Sequence, residues 1–337
     1  GTNKSLNVVE DTSVMVTTTD FGFKDTNDSP PDAFTNVVIG ALPAATRGTL
    51  KVNGVNATVN QVVSAAATLN GWALLPGSQG FLLEESFACS SDGRRIIMNI
   101  AQADNTREMR TSADGGVTWQ TLFTSYNNYA LACSPDGLKI TAAHSAGKLM
   151  TSADGGATWT TRVDDGTSSF YDVAMSDNGQ VILACAHGGR LHRSMDGGAT
   201  WTLHESARDW ESVDCSANGA VMLACPYGGQ LYVSTDSGAN WTARESTRNW
   251  TSAAMSADGT KMMAGQAGGV MYQSSDSGST WVAGTLGGYA STVSMSDSGM
   301  ERMVYDSAYV QLSTDGGVTW VRTATTVPYG GFGLPAI

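Results

Sequence analysis

From about residue 85 onward, short apolar runs alternate with glycine-bearing turns on a fixed period. Stretches such as Ile182-Leu-Ala-Cys185 and Leu231-Tyr-Val233 have the length and bounding turns of short strands. Six segments read Ser-x-Asp-x-Gly-x-[Thr/Asn]-Trp, beginning at Ser112, Ser152, Ser194, Ser234, Ser274 and Ser313. Their tryptophans stand at 119, 159, 201, 241, 281 and 320, so the steps are 40, 42, 40, 40 and 39 residues. About 20 residues ahead of each box lies a second turn motif, Cys89-Ser-Ser-Asp-Gly93 and its equivalents at Cys133, Met175, Cys215, Met255 and Met295. A third, Gly-Gly, recurs between them at Gly188, Gly228 and Gly268. Each period therefore predicts four antiparallel strands joined by three turns, which is the size of one β-propeller blade. A lone blade cannot bury both faces, so its neighbours must supply the core and the ring must close.

The repeated box resembles the Asp-box (BNR-type) repeat of sialidases and related propellers, in which it forms the turn between the third and fourth strands of a blade. Its chemistry suits that place. Asp accepts hydrogen bonds from turn N–H groups, Gly takes positive φ, and Trp packs between sheets. The expectation is an all-β fold with a six-bladed propeller over residues 73–337. A seventh blade built from Trp72-Ala-Leu-Leu and the C-terminal tail is the weaker alternative.

Residues 1–72 lack the repeat. Alternating apolar runs broken by Asp, Pro and Asn-Gly predict a small N-terminal β-sandwich. The order Glu10-Asp-Thr, Asp20-Phe-Gly-Phe, Asp28-Ser-Pro, Leu42-Pro, Gly48-Thr-Leu and Asn53-Gly-Val resembles the cadherin-like modules of large bacterial surface adhesins, without their last strand or two. The resemblance implies calcium as the one cofactor, with Glu10, Asp25 and Asp28 at the matching carboxylate positions. An ordinary solvated acidic loop is the competing reading.

Composition narrows the function classes. With Lys+Arg 19 against Asp+Glu 31, the net charge is −12, which opposes binding to a phosphate backbone and argues against nucleic acid as a partner. No stretch reaches the roughly 18 apolar residues of a membrane helix, so membrane insertion is not expected. The chain opens at Gly1 with no Met and no leader-like apolar stretch, as expected of a processed product or an excised piece. Cys89, Cys133 and Cys215 share a slot with Met175, Met255 and Met295, so they read as apolar filler in the thiol form rather than as metal ligands or nucleophiles.

Strand polarity sorts the turns. The box and Ser-x-Asp-Gly turns share one end of a blade, and the Gly-Gly turns and blade-to-blade links share the other. The link end carries the unusual side chains: Tyr129, Tyr171, His187, Arg208, Trp210, Tyr227, Arg248, Trp250 and Tyr289. Rings beside Arg and Glu suit glycan recognition, the ring stacking on the C–H face of a pyranose while charged groups bond its hydroxyls. The structural alternative wedges the rings between blades and pairs the arginines with Glu205, Glu211 and Glu245.

Catalysis has less support. The Arg-Ile-Pro segment of sialidases is absent, with Arg95-Ile-Ile the nearest string, and Asp172, Asp209, Glu211 and Glu301 form no pair singled out by spacing. The reading is a secreted or cell-surface, non-catalytic recognition or adhesion protein with a glycan or cell-surface receptor as partner. A fibre subunit follows as the alternative, self-associating by strand exchange between the N-terminal module and the tail from Thr323 to Ile337. A glycoside hydrolase is third.

Overall fold

The structure, a computed structural model, describes residues 83–322 except 103–105, 126–128, 285, 287–291 and 306–308, together with four short strands between 36 and 64. The chain divides into two compact units, residues 1–73 and 74–337. In the first, β1 (Asn36–Val38) pairs antiparallel with β4 (Val62–Ser64), and β2 (Lys51–Val52) pairs with β3 (Val55–Asn56). Glu10, Asp25 and Asp28 lie outside the described residues, as do Tyr289 and the tail from Thr323.

The second unit is a β-propeller. Its first repeat is β5 (Leu83–Cys89), β6 (Ile96–Ala101), β7 (Arg107–Ser112) and β8 (Gln120–Ser125), paired in that order. The second is β9 (Tyr129–Cys133), β10 (Ile140–His144), β11 (Lys148–Ser152) and β12 (Thr160–Asp164). The third is β13 (Ser169–Met175), β14 (Ile182–His187), β15 (Gly189–Ser194) and β16 (Thr202–Arg208). The sixth is β23 (Thr292–Met295), β24 (Arg302–Tyr305), β25 (Val310–Ser313) and β26 (Val321–Arg322). Each of these is a separate four-stranded sheet.

The fourth and fifth repeats depart from that plan. They comprise β17 (Trp210–Cys215), β18 (Met222–Ser234), β19 (Thr242–Met255), β20 (Met262–Gln266), β21 (Tyr272–Ser274) and β22 (Val282–Ala283), joined in one six-stranded sheet. Six repeats thus make five sheets, which corrects the expectation of six separate blades. The cause lies in the link. Asn249 pairs with Tyr227, so β19 runs unbroken from its pairing with β18 into its pairing with β20. The equivalent Asp209 falls between β16 and β17 and breaks the strand.

The box turns fold as their chemistry requires. In the first, Ser112 Oγ donates to Asp114 Oδ1 (2.8 Å) and the Gly116 N–H donates to Ser112 Oγ (2.8 Å). Thr118 closes the turn through its N–H (2.8 Å) and hydroxyl (2.6 Å) onto the same Asp, and Trp119 Nε1 donates to the Gly116 carbonyl (2.9 Å). The other five boxes repeat the pattern, with Asn240 replacing Thr in the fourth. The position before the second box glycine takes positive φ; it is Gly115 (φ 73°) in the first box but Ser237 (57°) and Ser277 (55°) in the fourth and fifth. A backbone bond ties each box to the Ser-x-Asp-Gly turn of its own repeat, as in Gly197 N–H to Gln180 O (2.9 Å), so the two turns share an end.

Apolar clusters fill the seams between repeats. Leu183, Leu191, Trp210, Val213 and Met222 pack between the third and fourth, and Leu223, Leu231, Trp250 and Met262 between the fourth and fifth. First strands of successive repeats lie side by side: β5 by β9, β9 by β13, β13 by β17, β17 by β19 and β19 by β23. One position stitches them. Ser86 Oγ accepts the Leu131 N–H (3.1 Å), Ser212 Oγ the Ala253 N–H (3.0 Å) and Ser252 Oγ the Val293 N–H (3.1 Å). In the third repeat that position is Asp172, which accepts from the Val213 N–H (3.0 Å) and the Ser212 hydroxyl (2.8 Å). A second carboxylate, Asp214, stands two residues further along β17 than the Ser212 stitch and accepts the Cys215 N–H (2.7 Å). All five cysteines are free thiols, and Cys215 faces Met222 across its hairpin.

Candidate functional site

The structure separates the predicted link-end residues into a buried set and an exposed set. Trp210 and Trp250 are 0% exposed. This corrects the expectation that their rings present a ligand face: a β-bulge follows each in the ladder, and the indole turns into the seam behind it. Each meets a tyrosine edge to face, Trp210 with Tyr232 (5.3 Å, 77°) and Trp250 with Tyr272 (5.4 Å, 84°). The guanidinium groups of Arg208 and Arg248 lie over those tyrosines at 4.7 and 4.5 Å. Of the pairings weighed in the sequence, Arg248 meets Glu245 (3.3 Å), whereas Arg208 relies on ring stacking and Glu211 faces elsewhere. These arginines cap the core as cation–π covers.

The exposed set gathers at the junction of the third and fourth repeats. Tyr171, 48% exposed, stacks on His187 with centroids 5.0 Å apart and planes inclined by 26°. His187 Nδ1 lies 3.7 Å from Asp209 and its Nε2 3.7 Å from Glu211. Tyr227, 46% exposed, occupies the next Gly-Gly turn, and its N–H donates to the Asp209 carbonyl (2.7 Å). Burial pushes the Glu211 carboxyl above its ordinary range and the Asp209 charge adds to this, while His187 pulls the other way.

Local structure explains the convergence. The bulge between Phe170 and Asp172 turns Tyr171 out of the ladder, and the one between Trp210 and Ser212 does the same for Glu211. His187 ends β14 at the Gly188 turn (φ 68°), so its ring projects over the link. Tyr129 opens β9 opposite His144, and His144 is buried, its Nδ1 accepting the Ala146 N–H (3.0 Å).

Asp209 and Glu211 were absent from the predicted ligand set. The signal for them was comparative: they stand where the following repeat carries Asn249 and Thr251. Chemically, the cluster offers a stacked aromatic surface flanked by two carboxylates and an imidazole that both accepts and donates. Among the described residues, no group of three or more His, Cys, Asp or Glu side chains has metal-site geometry.

Comparison with known proteins gives the fold and no family. No family model matches the sequence, and no curated protein matches it. Among solved structures, YCF48 bound to D1 peptide aligns over 73% of this chain and 83% of its own, with TM-score 0.56 and 15% identity. YCF48 from Cyanidioschyzon merolae covers 72% and 85%, with TM-score 0.53 and 17% identity. The GH74 xyloglucanase from Xanthomonas campestris aligns over 73% of this chain but 46% of its own, with TM-score 0.58 and 13% identity. The chain therefore shares a β-propeller fold with a peptide-bound protein and with a glycoside hydrolase.

Proposed function

We propose that the chain is a non-catalytic recognition protein of the extracellular or cell-surface kind, and that it binds glycan at the junction of the third and fourth repeats. The observation that carries this reading is the exposed Tyr171–His187 stack with Asp209 and Glu211 at its edge. A half-exposed ring pair is a platform for the C–H face of a pyranose, and carboxylates accept from its hydroxyls. The Asp-box character of the repeats and the cadherin-like character of residues 1–72 belong to the same proposal, the second resemblance being to modules of bacterial surface adhesins.

A glycan-array screen of the full chain tests it. Selective binding should fall at least about tenfold in Tyr171→Ala and Glu211→Gln while the melt stays within about 1 °C of wild type, as surface substitutions do. A blank array, or binding indifferent to both changes, overturns the reading.

One observation favours a second reading. Glu211, protonated more readily than an ordinary glutamate and close to Asp209, has the character of a general acid beside a second carboxylate, and one fold neighbour is a xyloglucanase. Release of reducing sugar from β-glucans, lost in Glu211→Gln, would establish the hydrolase; the recognition reading predicts none.

A further inference from the structure

The seam between the second and third repeats differs from the others. Where Ser86, Asp172, Ser212 and Ser252 stitch adjacent first strands, the second repeat has Ala130, which has no acceptor to offer. On the box end, a chain of backbone bonds links successive turns: Ser91 to Pro135, Asp177 to Ala217, Ala217 to Ala257 and Ala257 to Asp297. Pro135 has no N–H to pass the chain from the second repeat to the third. Both ties are missing at one seam.

That seam also holds a cavity of about 270 Å³, against about 10 Å³ between the first and second repeats. Side-chain volume is the cause. The cross-strand pair facing the seam is Thr141 with Thr151, where the third repeat pairs Leu183 with Arg193 and the fifth Met263 with Gln273. In the fourth repeat the same places hold Leu223 and Val233, and in the third Arg193 reaches across to donate to the Ser237 carbonyl (3.0 Å).

The lining is polar and partly unspent. Thr141 is 0% exposed, and its hydroxyl has no partner although it lines the cavity. Arg162 is anchored through Nε to Thr151 Oγ1 (2.8 Å), and its terminal nitrogens have no partner among the described residues. The carboxylate in the lining, Asp196, is consumed by its own box, accepting from Ser194 (2.8 Å) and from the Thr200 N–H (2.8 Å) and hydroxyl (2.6 Å). Lys139 is spent on the Asn178 carbonyl. A guanidinium and a buried hydroxyl stay available over an apolar floor that includes Ile140 and Ile182.

We propose that this cavity, on the box side of the propeller and independent of the Tyr171 cluster, binds a single acidic sugar unit, a hexuronate. The volume suits one ring rather than an extended chain. The guanidinium pairs with the carboxylate, and Thr141 meets a ring hydroxyl.

The test is a saturation-transfer NMR titration of the full chain with D-glucuronate, D-galacturonate and D-glucose at millimolar concentration. A uronate should bind about tenfold more tightly than glucose, and Arg162→Gln should abolish that difference. Thr141→Leu with Thr151→Val installs the pair native to the fourth repeat, so it should keep the fold, close the cavity and weaken uronate binding at least about tenfold. Should that variant fail to fold, Arg162→Gln at its exposed position carries the test. Tyr171→Ala should leave uronate binding unchanged, which separates this site from the Tyr171 cluster. Absence of uronate binding, equal affinity for glucose, or binding that survives in folded Thr141→Leu/Thr151→Val overturns the proposal.

Discussion

The two carboxylates at the first strands make the propeller's stability pH-dependent in an unusual direction. Burial pushes Asp172 up to about 6 and Asp214 up to about 7, with the Asp172 charge adding to the rise at Asp214. Backbone N–H groups oppose the rise at both sites and do not cancel it. An unfolded aspartate titrates near 3.9, so between pH 4 and 7 the folded chain holds a proton that the unfolded chain has lost. Stability therefore falls as pH rises through that window, and the cost is complete above pH 7. For Asp214 the shift of about 3 pH units corresponds to about 4 kcal/mol across the window.

The wild-type melt alone mixes this with opposing groups. His144, His192 and His204 are held below their ordinary range, burial being the largest cause in each, so they lose stability as pH falls through the unfolded value near 6.5. The six box aspartates, held at about 2 by hydrogen bonds from the residue four positions on, from the preceding Ser and from turn N–H groups, lose theirs only below about pH 4. The decisive quantity is the difference in melting temperature between Asp214→Asn and wild type. The amide carbonyl keeps the acceptor for Cys215 N–H and removes the charge. At about 2 °C per kcal/mol for a unit of this size, the difference should swing by about 5–8 °C toward the variant between pH 4.5 and 8. A difference that stays flat within about 1 °C, or that swings toward wild type at high pH, would refute the burial argument.

Three further substitutions probe the frame. Ser237→Gly and Ser277→Gly relieve a non-glycine φ near 55° in the fourth and fifth boxes and should each stabilise by about 0.5 kcal/mol, read as a small rise in the melt; destabilisation by either would show that the serine makes up the strain through contacts of its own. Trp210→Ala empties a fully buried seam position and should cost about 3–5 kcal/mol, so a variant that melts like wild type would return Trp210 to the ligand face.

The sequence made the repeat legible because every copy solves the same local problem. Asp114 and its five equivalents need the same donors, and the glycines need the same positive φ, so residue identity persists from box to box. The sheet count was harder. Whether a link breaks a strand depends on one residue's pairing, Asn249 with Tyr227, and the change from Asp209 to Asn249 between the two links does not by itself say which way that pairing goes. The tryptophans misled for a related reason: an aromatic in a linker can stack outward or wedge inward, and the bulge that decides it is a property of the ladder.

Departures from the repeat mark what the fold alone does not require. Where all copies agree, the residue serves the fold. Where one copy differs, packing must change at that seam, because the neighbouring sheets are otherwise alike. Asp214 stands where other repeats place Ala88, Ala132, Ala174 and Ala254, and it brings a half-buried carboxyl to a position that needs none. Thr141 and Thr151 stand where other repeats place Leu183 with Arg193 or Met263 with Gln273, and a cavity opens beside them. Glu211 stands where the next repeat has Thr251, and it meets His187, which the next repeat replaces with Tyr227. Ala130 leaves one stitch unmade. Three of the four lie at the two seams on either side of the third repeat, and the Asp214 carboxyl also meets the Met255 N–H at the seam beyond. A propeller that only had to hold its shape would scatter such exceptions around the ring, so the gathering of three of them on two adjacent seams is what a ligand-binding sector predicts.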